Sequence, residues 1–258
     1  VAVRNEESLP KEIPVTLAIR YEQEVVKKMD DLSARNGGLV AYYPLNGNAE
    51  DSSGYNNHGT MRGELGFVDH APFGQAGEFK QRGRTFVEIP HQDQMILSNS
   101  FTIQFWYKNG ACSGRIIQKL WPTKHSGGKE WEITIRDNTQ AVFKYAWPGV
   151  TDNYEFICPM NYEWARESWN HFVYAYSADE NVMYGYLNGV AVTNQVPRQK
   201  PVPLDTTLPL LLMHDRFLAN TDARFDAEGS LDEVSIWNRL LTSNEVWDLY
   251  VSGVKKIE

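Results

Sequence analysis

The sequence predicts an all-β chain built as an antiparallel sandwich of two sheets. Three observations carry that prediction. From Leu39 onward apolar residues recur at every second position, the period of a strand with one buried face. Turn formers such as Asn188-Gly189 separate these runs at short intervals. Helical periodicity is confined to one short stretch near each end of the chain. With 258 residues, 42 % of them hydrophobic, one large sandwich core can be filled.

The elements follow in order. Residues 1–37 form an N-terminal arm. Pro10 and Pro14 punctuate an extended start, and Val15, Leu17, Ile19 and Tyr21 then alternate as a short strand does. From Glu22 the period changes, and Val25, Val26, Met29 and Leu32 share one face of an amphipathic helix. Asn36-Gly37-Gly38 ends that helix, because glycine accepts the left-handed conformation after a last turn. The arm either packs on the sandwich or joins a partner chain or a larger assembly.

Residues 38–258 make the sandwich. Leu39–Leu45 and Thr85–Ile89 are early strands. Phe101, Ile103, Phe105 and Tyr107 alternate with Thr102, Gln104, Trp106 and Lys108, so one face of that strand is buried. Strands over Arg115–Leu120, Trp131–Arg136 and Ala141–Ala146 follow. His171–Tyr176 and Val182–Leu187 pair, and Asn188-Gly189 turns the chain tightly because both residues tolerate positive φ. Leu208–Met213 is apolar throughout and expects burial on both sides; Leu231–Trp237 is the last long strand. Thr242 and Glu245 form a capping box, and the helix they start sets Val246, Leu249 and Tyr250 against one end of the sandwich.

Several function classes are disfavoured. The net charge is −8 and no basic cluster offsets it, which speaks against nucleic-acid binding. No run of 18 apolar residues offers a membrane-spanning helix. The chain opens on Val1 rather than Met, so a processed start is the expectation. Cys112 and Cys158 match no metal-binding spacing; they are either a disulfide, if the protein is exported, or two buried thiols. No nucleophile elbow, zinc-protease helix or phosphate loop is present. Glycoside hydrolysis needs two carboxylates facing each other across the scissile bond. The nearest approach is Glu130-Trp131-Glu132, which expects a solvated strand edge. His171, beside Trp169, expects a packed core position.

Aromatic residues are concentrated between 120 and 165: Trp121, Trp131, Tyr145, Trp147, Tyr154 and Trp164. A sugar has one apolar face and a ring of hydroxyls, so an aromatic ring beside planar polar groups suits it. Trp121, Tyr145, Trp147, Asp152 and Tyr154 are therefore the candidate ligand-binding residues. The alternative is a small second core beneath long loops.

Five segments resemble laminin-G-like jelly-roll domains of the concanavalin A-like kind. They are Gly38–Gly54 with Asn57–Thr60, Phe101–Lys108, Trp169–Val173, Tyr186–Val190, and Leu231–Leu241 with Glu245 and Tyr250. The resemblance covers about 210 residues in the family's order and leaves out the arm. It implies a concanavalin A-like jelly roll with a short C-terminal helix. It also implies a structural Ca²⁺ between the early loop and the last strand, with Asp51, Asn56, Thr60 and Asp232 as its ligands. Oxygen donors of this sort suit a hard cation; the other reading is that Asp51 caps a turn and Asp232 bonds to backbone. The function implied first is a non-catalytic carbohydrate-binding or adhesion module of an exported protein, at the cell surface or outside it, with a glycan or protein ligand. A structural protein decorating a larger surface or virion is the second reading, and a divergent glycan-active enzyme the third.

Overall fold

The structure, a computed structural model, describes residues 37–70, 72–80, 85–97, 99–110, 113–120, 129–136, 140–145, 154–159, 168–195, 207–214 and 227–254. The predicted arm, apart from Gly37, lies outside them.

The alternating runs do form two antiparallel sheets. One contains β1 (Leu39–Tyr43), β3 (Gly66–His70), β4 (Gly74–Phe79), β6 (Phe101–Asn109), β11 (Asn170–Ser177), β12 (Val182–Leu187), β13 (Val190–Gln195) and β15 (Gly229–Trp237). Its order is β13-β12-β11-β6-β15-β4-β3, with β1 paired to β15. The other contains β2 (Thr60–Arg62), β5 (Phe86–Ile89), β7 (Gly114–Leu120), β8 (Lys129–Arg136), β9 (Gln140–Tyr145), β10 (Tyr154–Pro159) and β14 (Leu210–Leu212). Its order is β10-β9-β8-β7-β14-β5-β2.

The core lies between the sheets. Phe101, Ile103, Phe105 and Tyr107 of β6 enter it with Phe172, Tyr174 and Tyr176 of β11. Trp131, Ile133, Ile135 and Phe143 meet them from β8 and β9. Each such side chain removed from water contributes ~1.5–3 kcal/mol. The intervening residues of β6, Thr102, Gln104 and Trp106, are buried as well, outside this main core cluster. A second layer therefore covers the eight-stranded sheet.

That layer is α1 (Ser243–Val254). Thr242 and Glu245 cap it reciprocally: the Thr242 amide donates to Glu245 Oε2 at 2.8 Å, and the Glu245 amide to Thr242 Oγ1 at 3.3 Å. Val246 and Leu249 pack with Leu39, Tyr42, Val173, Tyr186, Trp237 and Leu241. The helix thus covers the outer face of a sheet, not one end of the sandwich as expected. Those outward residues are apolar and need cover. At Gly253 a Cβ would lie 2.3 Å from Trp106 Cζ2, so only glycine allows this close approach.

β15 changes face midway. Leu231, Val234 and Ile236 are core residues, while Asp232 and Glu233 are consecutive and absent from that cluster. A bulge interrupts the register between Asp232 and Ser235, and Glu233 sits at φ 52°. Elsewhere Asn188 and Gly189, at φ 52° and 77°, make the predicted tight turn between β12 and β13.

Candidate functional site

Two of the five expected ligand-binding positions, Tyr145 and Tyr154, are register partners on neighbouring strands of the seven-stranded sheet. β7 ends at Leu120 and β8 starts at Lys129, and these two residues are register partners. β9 ends at Tyr145 and β10 starts at Tyr154; Tyr145 pairs with Tyr154 on one side and with Trp131 on the other. The ends of β7 and β9 and the starts of β8 and β10 therefore lie at the same end of the sheet. Trp121 follows β7 directly, Trp147 lies two residues past β9, and Asp152 two residues before β10. Trp121, Trp147 and Asp152 themselves lie outside the described residues, as does Trp164. Tyr154 opens a strand that sequence periodicity did not show. Trp131, one of the six concentrated aromatics, is a core residue at 2 % exposure and is no platform.

Across the outer face of the same sheet runs a transverse row. Register aligns Thr60, Glu88, Leu211, Gln118, Glu132, Lys144 and Glu155 over all seven strands. Glu132 in this row corrects an expectation: it is buried, not a solvated edge. Arg115 Nε lies 2.8 Å from its Oε2 and Lys144 Nζ 2.9 Å from its Oε1. Burial alone would raise its pKa, but the two cations outweigh that and hold the carboxyl below its usual range. A carboxylate held ionised in this way does not serve as a general acid.

The expected metal ligands build something else. Asp51 is buried and its four lone pairs are all taken. Oδ1 accepts from the Tyr42 and Ser53 amides, both at 2.9 Å. Oδ2 accepts from Ser53 Oγ at 2.8 Å and the Asn57 amide at 2.9 Å. Asn56 is an exposed turn residue at φ 58°, and Thr60 is exposed in β2. The buried member of the loop is Asn57, whose side chain donates to the Val40 carbonyl at 2.8 Å. Asp232 Oδ2 meets His70 Nδ1 at 2.6 Å, and Oδ1 accepts from the Glu233 amide at 2.8 Å. No group of three His, Cys, Asp or Glu side chains stands together among the described residues. These residues, as arranged, do not fit a shared calcium cage, because protein donors already fill Asp51. Chelation with EDTA is accordingly expected to leave the thermal midpoint within about 2 °C of its value in calcium, whereas loss of a stabilising ion would lower it by more. Differential scanning fluorimetry with and without EDTA decides this. Of the two cysteines, Cys112 lies outside the described residues and Cys158 stands in β10 opposite Ala141.

A polar layer missed by sequence reasoning lies between the eight-stranded sheet and α1. Tyr42 Oη donates to Glu233 Oε2 at 2.7 Å. Gln104 Nε2 donates to Ser235 Oγ and to the Glu233 carbonyl, each at 2.6 Å. Gln104 Oε1 lies 2.7 Å from His171 Nε2, so that nitrogen carries the proton. His171 Nδ1 is buried with no partner. Burial pushes His171 down to about 3, and burial together with the charge of Lys108 pushes His70 down to about 3. His171 is thus the packed core histidine the sequence suggests.

A family model described as the concanavalin A-like lectin/glucanases superfamily matches residues 81–247. No curated protein matches the chain. Among solved structures, the binding domain of Paraclostridial Mosquitocidal Protein 1 is similar at 15 % identity and a TM-score of 0.67, over 83 % of this chain and 52 % of that one. Botulinum neurotoxin type C, whose cell entry depends upon interaction with two ganglioside molecules, is similar at 14 % identity and a TM-score of 0.67, over 87 % and 53 %. Domain 4 of AbnA, a GH43 extracellular arabinanase from Geobacillus stearothermophilus in complex with arabinotriose, is similar at 18 % identity and a TM-score of 0.61, over 83 % and 98 %. The chain spans about half the length of the toxin chains and nearly all of the arabinanase domain. At these identities the likeness is one of fold.

Proposed function

We propose, on the premise that this chain belongs to the concanavalin A-like lectin/glucanase superfamily, that it is a non-catalytic carbohydrate-binding module acting outside the cell. One observation carries the proposal. The strand register brings Tyr145 and Tyr154 side by side at one end of the seven-stranded sheet, in line with Trp131, and in sequence Trp121, Trp147 and Asp152 lie within two residues of strand ends at that same end. An aromatic ring suits the apolar face of a sugar and a carboxylate suits its hydroxyls. The arabinanase domain in complex with arabinotriose supports the choice of a glycan, since the chain matches it over 98 % of its length.

A glycan array followed by titration calorimetry tests this. Each stacked ring is worth ~0.5–1.5 kcal/mol, so Trp147→Ala combined with Tyr154→Ala is expected to weaken binding about tenfold or more. An array with no bound glycan would remove the proposal. A protein ligand is the second reading, favoured by a similar binding domain solved in complex with rat synaptotagmin II. It gains if the array is blank and deletion of residues 1–37 changes the oligomeric state.

A further inference from the structure

Trp247 is the largest exposed apolar side chain among the described residues, at 48 % exposure, yet it is held rigidly. At Gly189, where φ is +77°, a Cβ would lie 2.8 Å from Trp247 Cε3 and 2.8 Å from Tyr250 Cδ1. The turn backbone therefore presses against both rings. Trp247 meets Tyr250 at 5.6 Å between centroids, tilted by 52°. Tyr250 stacks on Trp106 at 5.9 Å and 14°, and Trp106 on His171 at 5.1 Å and 30°. His171 is fixed in turn by Gln104. A surface indole is thus the outer end of an aromatic train rooted in the buried polar layer.

Its surroundings select a ligand chemistry. Asn244 is exposed and lies three residues before Trp247, on the same side of α1. Val190 and Val192 of the edge strand β13 are exposed at 57 % and 38 %, and Val190 follows Gly189 directly. Asp248 is exposed one turn after Asn244 and shares its side of α1, about 100° around the helix from Trp247. Asn244, Trp247, Val190 and Val192 are uncharged, and Asp248 adds one carboxylate beside Asn244. A neutral sugar ring finds a flat indole for its C–H face and a planar carboxamide for its hydroxyls, with little ordering left to be done on binding.

We infer that Trp247 and Asn244, backed by Tyr250, form a second carbohydrate subsite that takes a neutral sugar ring of an oligosaccharide. It stands on the eight-stranded sheet's helix, whereas the β7–β10 end belongs to the other sheet. Two subsites on one module would favour multivalent glycans through effective concentration.

The test follows the indole N–H signals of the full chain by two-dimensional NMR, titrated with lactose, cellotriose and arabinotriose. The Trp247 signal is identified by its loss in Trp247→Phe. At least one sugar is expected to shift it saturably. Trp247→Ala should then weaken binding at this subsite tenfold or more, Asn244→Ala severalfold, and Trp247→Phe least. Thermal melts confirm that the variants fold. If none of the three sugars moves the signal, the inference is overturned. It is equally overturned if Trp247→Ala binds as the parent does, or if only deletion of residues 1–36 moves the signal. A titration in which Trp147 responds and Trp247 does not overturns this inference while leaving the β7–β10 proposal standing.

Discussion

Acidification is expected to destabilise the fold steeply, beginning below pH 6.5, before most carboxylates titrate. His70 and His171 both have folded-state pKa values near 3, against 6.5 for the free side chain. As pH falls through 6.5 the unfolded chain takes up protons that the folded chain refuses. The stability contributed by the neutral histidines is complete above pH 6.5 and is lost progressively as pH falls towards 3. Each histidine contributes a slope of at most ~1.4 kcal/mol per pH unit, and His70 less, because the Asp232 carboxylate 2.6 Å from its Nδ1 favours its protonated form. The cause is local. Protonated His171 would need an acceptor for Nδ1, which has no partner. Protonating His70 adds charge where relative exposure is 2 %. Urea unfolding curves at pH 7, 6, 5 and 4 measure the slope, and His171→Gln should remove half of it or more. Stability that stayed flat between pH 6.5 and 4 would falsify the protonation states assigned to this layer.

Trp237→Ala is expected to cost ~3–5 kcal/mol, the usual loss for a fully buried large aromatic, and to lower the thermal midpoint by about 10 °C. Trp237 has 0 % exposure and packs with Leu39, Tyr42, Val246 and Leu249, so its ring joins β15 to β1 and α1. Its indole N–H is buried without an acceptor. Trp237→Phe should therefore be much milder, because it removes an unpaired donor along with part of the ring. Trp247→Ala on the exposed side of the same helix should stay within about 0.5 kcal/mol. Thermal melts of the three variants, monitored by circular dichroism, separate these outcomes. Equal losses in Trp237→Ala and Trp247→Ala would mean that α1 is not held by its inward face.

How far the fold could be read from the sequence depended on how local each signal was. β6 was legible because five consecutive residues, Phe101 to Phe105, alternate cleanly. The α1 cap was legible because Thr242 and Glu245 are three residues apart. β3 and β4 were not, since Gly66–His70 and Gly74–Phe79 contain three glycines and little alternation. The burial of Glu132 was misread because its two cations come from neighbouring strands, 17 residues before it and 12 after. His70 and Asp232 are 162 residues apart, and nothing in either neighbourhood announces the other. Asp51 was expected as a calcium ligand or as the cap of a turn, and carboxylate chemistry alone does not separate a cation ligand from an acceptor of four protein donors. The aromatic concentration between 120 and 165 likewise mixed a core residue, Trp131, with positions at the strand ends.

The irregularity in β15 reaches beyond its own residues. Inside and outside are written in one phase up to Leu231 and in the opposite phase from Val234, with Glu233 absorbing the offset. Loops of this chain can lengthen or shorten without disturbing the code. This strand cannot lose a single residue at that point without turning Val234 and Ile236 to the acidic side and Ser235 to the apolar one. Its length is therefore the most constrained dimension of the molecule, and any tolerated change there must come as a compensated pair.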